Sequence, residues 1–198
     1  MIRIAVVGEI GSGKSYASRA FGFPVFDADR EVAKLYSNNK SLYLRLKKKL
    51  PNYIRSFPLQ KKELLNSIID DVKNLKIISA LVHPLVRNKM RIFIKKNIKK
   101  KAVVLDIPLY LENNINDKKD FIIYIHADKS QIIKRLKLRK SFNLSVYKQL
   151  KKIQLSNAQK KRKSRISLKN NFNKNTLKKT INMIKLHILK NERNNSRY

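Results

Sequence analysis

Cysteine and tryptophan are absent from this 198-residue chain, and glycine occurs only four times. Without cysteine there are no disulfides and no thiolate metal sites. The three histidines, His83, His126 and His187, are too dispersed to suggest a zinc site. No apolar stretch approaches the roughly 18 residues that a membrane span requires. The N-terminal run "MIRIAVVG" leads into a glycine loop, not into the small-residue cleavage site of a secretory leader. The expectation is a soluble, cytoplasmic protein. Acids are scarce too: 13 Asp and Glu stand against 47 Lys and Arg, a formal net charge of +34. A selected polyanion-binding surface would gather basic residues in one arm or interleave them with aromatic stacking platforms. Here they are spread along the whole chain, and Lys, Asn and Ile abound together, so codon bias is the reading that fits better. Salt-sensitive, nonspecific binding of nucleic acid follows from either.

A chain of this length forms one compact domain that buries about 70% of its unfolded surface. "IRIAVVG" (Ile2–Gly8) is a β-branched apolar run and reads as a buried parallel strand, with a helix over about 14–22 after it. "FPVFDAD" (Phe23–Asp29) gives a second strand, and "DREVAKLYSNNKSLYLRLKKKL" a continuous helix. After a break between Pro51 and Pro58, helical spacing runs from Leu59 to about Lys100, an all-helical insertion. "KAVVLDIP" and "FIIYIHAD" are again strands. The very basic stretch after Asp128 reads as helices broken near Phe142–Ser145, followed by a last short strand at "RISL", a loop at "LKNNFNKN" and a terminal amphipathic helix. Strand alternating with helix predicts an α/β fold, a parallel sheet covered by helices on both faces.

Three of the four glycines fall within six positions, in "GEIGSGKSY" (Gly8–Tyr16). Gly8, Gly13, Lys14 and Ser15 satisfy the phosphate-loop pattern G-x-x-x-x-G-K-[ST], after a strand and opening a helix as that pattern requires. Backbone N–H groups curl round a phosphate only where side chains do not obstruct and φ can turn positive. Gly11, Ser12 and Gly13 therefore line a nucleotide site, Lys14 reaches the β- and γ-phosphates, and the Ser15 hydroxyl ligates Mg²⁺. ATP and Mg²⁺ are the expected cofactors. Asp27, Asp29 and Asp106 end apolar strands and should converge on the same crevice, each with a helix cap or surface acid as its plainer reading. Asp106 in "VVLD" has the form of a second Mg²⁺ ligand. Asp29 is the chosen general base and Asp27 the orienting acid, although the two roles could be exchanged.

In order along the chain, "GEIGSGKS", "VFDAD", "VHPLV", "DIPLYLEN" and "RLKLRK" resemble the dephospho-CoA kinase family. The resemblance implies a P-loop kinase fold with a core over about 1–50, 101–128 and 165–198, a helical substrate-binding insertion over about 59–100, and a helical lid over about 129–164. It implies transfer of the γ-phosphoryl of ATP to the ribose 3′-hydroxyl of dephospho-CoA by a monomer or small homo-oligomer. By resemblance, Asp29 matches the family's base, His83, Arg87, Leu109 and Glu112 map to the substrate side, Tyr16 joins the nucleotide site, and Arg139 and Arg162 fall where lid arginines approach the phosphates. From the residues alone, His83 before Pro84 is equally a packed helix-end residue, and Arg139 a solvated one. Tyr16, Glu9 and Tyr110 depart from the family pattern, and "RISLKNNF" replaces an acidic segment near the adenine site. The rival readings are another small-molecule P-loop kinase, acting on a nucleotide, nucleoside or sugar acid, and a nucleotide-binding switch that holds RNA. Against the first, the loop has no proline where nucleoside monophosphate kinases carry G-x-P-G-x-G-K; against the second, the sequence has no N-K-x-D guanine reader of a GTPase.

Overall fold

The structure, a computed structural model, describes residues 1–139 and 142–195, with side chains as far as residue 190. In chain order the elements are β1 (Ile2–Gly8), α1 (Lys14–Ala20), β2 (Val25–Asp27), α2 (Ala28–Asn38), α3 (Lys40–Lys49), α4 (Lys61–Asp70), α5 (Lys73–Lys96), β3 (Ala102–Asp106), β4 (Phe121–His126), α6 (Lys129–Lys137), α7 (Leu144–Lys152), α8 (Asn157–Arg162), β5 (Ile166–Lys169) and α9 (Lys174–Asn195). They pack as two compact units, one of residues 1–27, 97–142 and 153–198, the other of residues 28–96 and 143–152.

The first unit is a five-stranded sheet in the order β2-β3-β1-β4-β5. Every pairing in it is parallel. Strands β3 and β4 are apolar at consecutive positions because both faces are covered, as parallel sheets require. Ile2, Ile4 and Val6 of β1 turn to one face and join Ala102, Val104, Ile123 and Ile125 in a cluster closed by Ala17 of α1, by Phe21 just past its end and by Leu177, Ile181, Ile184 and Ile188 of α9. The intervening Ala5, Val103, Leu105, Ile122 and Tyr124 are buried as well. Both neighbours of the central β1, β3 and β4, come later in the chain, so the sheet extends through β3 and β2 on one side of β1 and through β4 and β5 on the other. Parallel sheets bind ligands at the carboxyl ends of strands where the order reverses.

The second unit is all-helical. Two local expectations need correction there. The predicted continuous helix through residues 29–50 is broken at Asn39, whose side chain accepts the Leu42 N–H at 2.8 Å and starts α3 afresh. A short polar side chain that satisfies a free helix-end donor competes with helix continuation. His83 and Pro84 do not end a helix; they lie inside the 24-residue α5. Pro84 removes the N–H that would bond the Ala80 carbonyl, and the stripe Ile78, Val82, Val86, Met90 keeps the helix seated by burying one face. The second strand is also shorter than expected: α2 takes over at Ala28, with Asp29 and Glu31 in its first turn, where acids favour a helix start. The basic stretch expected as one lid divides between the units, α6 and α8 in the first, α7 beside α4 in the second.

Candidate active site

The loop from β1 to α1 closes on itself. The Glu9 carbonyl accepts the Ser12 N–H at 3.1 Å and the Lys14 ammonium at 2.8 Å. Gly13 holds φ at 95°, a left-handed conformation that glycine alone adopts without strain. Gly8 is needed for space, since a Cβ there would strike the Ile125 carbonyl of the adjacent β4. Ser12 is fully buried, and among the described residues its hydroxyl has no hydrogen-bond partner. The α1 helix has seven residues, so an anion at this turn would have to be held by the loop's own amides more than by a long helix dipole.

Two carboxylates mark the same edge of the sheet. Asp27 and Asp106 are register partners at the carboxyl ends of β2 and β3, and β3 lies against β1. Asp106 is 5% exposed. Arg19 of α1 approaches Asp27 at 3.9 Å, a loose ion pair with both side chains partly in solvent. Burial, and then the negative charge of Glu9, push the hydroxyl of Tyr124 up to about 12, so it stays neutral near the loop.

Oxygen donors of the kind magnesium uses lie at the start of α1, the Ser15 hydroxyl, and at the end of β3, the buried Asp106 carboxylate. Among the described residues no group of three or more His, Cys, Asp or Glu is arranged to hold a metal. Magnesium prefers oxygen, takes one or two protein ligands and completes its shell with water and substrate phosphates. The Ser15 hydroxyl and the Asp106 carboxylate suit such a sparse set.

After β3 the chain turns sharply. Leu109 adopts φ 57° and Asn114 φ 49°; a left-handed leucine stores about 1–3 kcal/mol of strain. Tyr110, 1% exposed, holds the turn from beneath: its hydroxyl donates to Asp120 at 2.5 Å, and Arg3 of β1 meets the other Asp120 oxygen at 2.8 Å. Burial and the Asp120 hydrogen bond raise the Tyr110 hydroxyl far above the ordinary tyrosine range. Glu112, expected on the substrate side, accepts the Leu155 N–H at 3.0 Å and faces Lys160 of α8 at 3.3 Å.

The remaining predicted residues are more scattered. Tyr16 packs on the hydrophobic cluster of α1 and α9 and reaches the Lys174 carbonyl at 3.5 Å. Arg139 lies just past α6 and Arg162 ends α8, both exposed. In the second unit, Asp29 is exposed in the first turn of α2, and His83 and Arg87 are one turn apart on α5. Partial burial, and then the nearby Arg87 charge, hold the His83 imidazole below its usual range. Two side chains went unseen in the sequence. Asn170, 2% exposed, donates its amide to the Ser12 carbonyl of the glycine loop at 2.8 Å. Lys160 is the buried partner of Glu112. Neither stands out by residue type in a chain so rich in Asn and Lys.

The profile of the dephospho-CoA kinase family matches residues 2–176. The chain belongs to the dephospho-CoA kinase family. The dephospho-CoA kinase of Wolbachia sp. subsp. Brugia malayi is 38% identical over 141 residues, 69% of this chain and 72% of that one. The dephospho-CoA kinase of Fusobacterium nucleatum is 28% identical over 90% of this chain and 94% of its own length. Among solved structures, the Campylobacter jejuni dephospho-CoA kinase superposes with a TM-score of 0.63 at 21% identity, over 94% of this chain and 96% of that one. The Thermus thermophilus protein TT1252 superposes at 0.71 with 25% identity, over 92% and 95%. A P-loop kinase sheet and a nucleotide-dependent phosphotransferase agree with the closed glycine loop and the paired strand-end aspartates. Among the described residues no helix is long and apolar enough to cross a membrane.

Proposed function

We propose that this chain transfers the γ-phosphoryl of ATP to the ribose 3′-hydroxyl of dephospho-CoA, the last step of coenzyme A synthesis, in the cytoplasm. The observation that carries the reading is the glycine loop with Lys14 folded over it, at the sheet edge where Asp27 and Asp106 end their strands, in a chain of this family.

In this reading the amides of Gly11 to Ser15 take the terminal phosphates, and Lys14 leaves the Glu9 carbonyl for the β- and γ-oxygens. Ser15 and Asp106 would hold Mg²⁺, which when bound would neutralise charge at those oxygens. Asp29 accepts the proton of the 3′-hydroxyl while that oxygen bonds to the γ-phosphorus and the bond to the β,γ-bridging oxygen breaks, releasing ADP. Asp27 orients the acceptor, and His83, Arg87 and Leu109 contact it. Glu112, committed to Lys160 and Leu155, supports the acceptor side through the backbone. Arg139 and Arg162 bring planar guanidinium groups to the developing charge. Most of the catalysis is positioning and electrostatics, since phosphoryl transfer leaves little covalent work to the protein. A monomer or small homo-oligomer suffices, and the surplus of positive charge gives weak, salt-sensitive binding to polyanions.

The test is ADP release with a panel of acceptors, dephospho-CoA beside adenosine, AMP and gluconate, with mass spectrometry of the product. Turnover of dephospho-CoA alone, with the new phosphate on the 3′ position, is the expected result. Preferred turnover of another acceptor overturns the assignment.

A further inference from the structure

We infer that Asn170 is a positioning residue for phosphoryl transfer: its side-chain amide, reaching from the far end of β5, sets the direction of the Gly13 N–H in the phosphate loop. The inference rests on the phosphate-binding reading of that loop.

Asn170 is fixed at three points. Its backbone N–H donates to the His126 carbonyl at 2.7 Å, its Nδ2 donates to the Ser12 carbonyl at 2.8 Å, and its Oδ1 accepts the Phe172 N–H at 2.8 Å. A backbone carbonyl only accepts and a backbone N–H only donates, so these partners allow a single orientation of the amide. The side chain is 2% exposed, so water does not compete for either bond, and leaving the Ser12 carbonyl unpaired would carry a desolvation cost.

The consequence for the loop follows from peptide geometry. The Ser12 carbonyl and the Gly13 N–H belong to one planar trans unit and point in opposite directions. Holding the carbonyl toward Asn170 turns the Gly13 N–H away from it, to the other side of the loop, where a terminal phosphate would lie. Gly13 at φ 95° then turns the Lys14 peptide. The two residues are packed so closely that a Cβ on Gly13 would overlap Asn170 Nδ2. Gly13 is therefore glycine for two reasons, its φ and the presence of Asn170. With the carbonyl unpinned, that peptide could rotate, and one donor would have to be reoriented each time nucleotide binds. Pre-organised donors are worth more than donors that must reorganise.

The test uses the full-length chain labelled with ¹⁵N-glycine, which contains only four glycines, together with Asn170→Asp and Asn170→Ser. Asn170→Asp keeps an acceptor for Phe172 but opposes the Ser12 carbonyl with an oxygen, and Asn170→Ser is too short to bridge. On addition of MgADP, the wild-type Gly13 amide resonance is expected to move while that of Gly22 stays in place. In either variant that keeps the wild-type circular dichroism, the Gly13 shift should shrink, and KM for ATP should rise about tenfold, the equivalent of one lost hydrogen bond. KM for dephospho-CoA should stay within about twofold, a split that general loss of packing would not produce. Wild-type shifts and KM values in a folded variant overturn the inference. So does unfolding of both variants, which would make Asn170 a folding residue. A wild-type Gly13 resonance that ignores saturating MgADP instead overturns the phosphate-loop reading itself.

Discussion

Asp27 and Asp106 stand opposite each other at the ends of neighbouring parallel strands. Asp106 is almost wholly buried, and in the proposed mechanism its carboxylate helps to hold the divalent cation that arrives with nucleotide. Asp106→Asn should therefore raise the Mg²⁺ concentration for half-maximal rate about ten- to a hundredfold, with little change in KM for dephospho-CoA. An unchanged Mg²⁺ titration would remove Asp106 from the metal site.

Lys14→Met and Asp29→Asn separate charge stabilisation from proton removal. The first should lower kcat about 10²–10³-fold by deleting one fixed donor to the transferring group. The second should lower it about 10²–10⁴-fold while nucleotide affinity, measured by calorimetry with MgADP, is retained. Full turnover by folded Asp29→Asn would return the base role to Asp27.

The Lys160–Glu112 pair makes a stability prediction with an internal control. Their side chains are 2% and 9% exposed. Removing one partner leaves a charge in a dry site, so Lys160→Met or Glu112→Gln should cost about 3–5 kcal/mol in urea unfolding. The double variant Lys160→Met with Glu112→Gln, in which the glutamine can still accept the Leu155 N–H, should cost less than the sum of the two single changes. Additive losses would show that the pair is not coupled.

His83 should titrate below the ordinary histidine value, because burial and then the Arg87 charge disfavour its cation. The imidazole is then neutral at pH 7. Its depressed pKa means that the stability linked to it is complete above the unfolded-state pKa of about 6.5 and is lost as pH falls toward the folded pKa. The C2–H resonance should give a midpoint under 6.5, and His83→Gln should flatten that part of the stability–pH curve. Arg87→Gln should move the midpoint upward. A wild-type midpoint at or above 6.5 contradicts the environment described for α5.

What the sequence revealed followed from where its rare residues fall. Glycine is scarce, so Gly8, Gly11 and Gly13 announced the closed turn between β1 and α1, and acids are scarce, so Asp27 and Asp106 stood out at strand ends. Strands β3 and β4 were readable as unbroken apolar runs because both faces of a parallel sheet are buried. The common residue types hid the rest. Asn39 as a helix cap and Asn170 as a loop brace look like every other asparagine in this composition, and the buried Lys160 is one of 47 basic residues. Pro84 did not hide the helix: its local preference is to end one, but the apolar spacing on either side of it reads as helical, and the buried stripe on α5 outweighs that preference.

If the backbone between Gly8 and Ser15 encloses the terminal phosphates of a nucleotide, a crystal structure of the full chain with a non-hydrolysable ATP analogue and Mg²⁺ will place β- and γ-phosphate oxygens within about 3 Å of the loop amides, with Lys14 moved from the Glu9 carbonyl onto them and the cation held by Ser15 and Asp106. Clear nucleotide density elsewhere on the molecule, with Lys14 still bonded to Glu9, would rule out the phosphate loop.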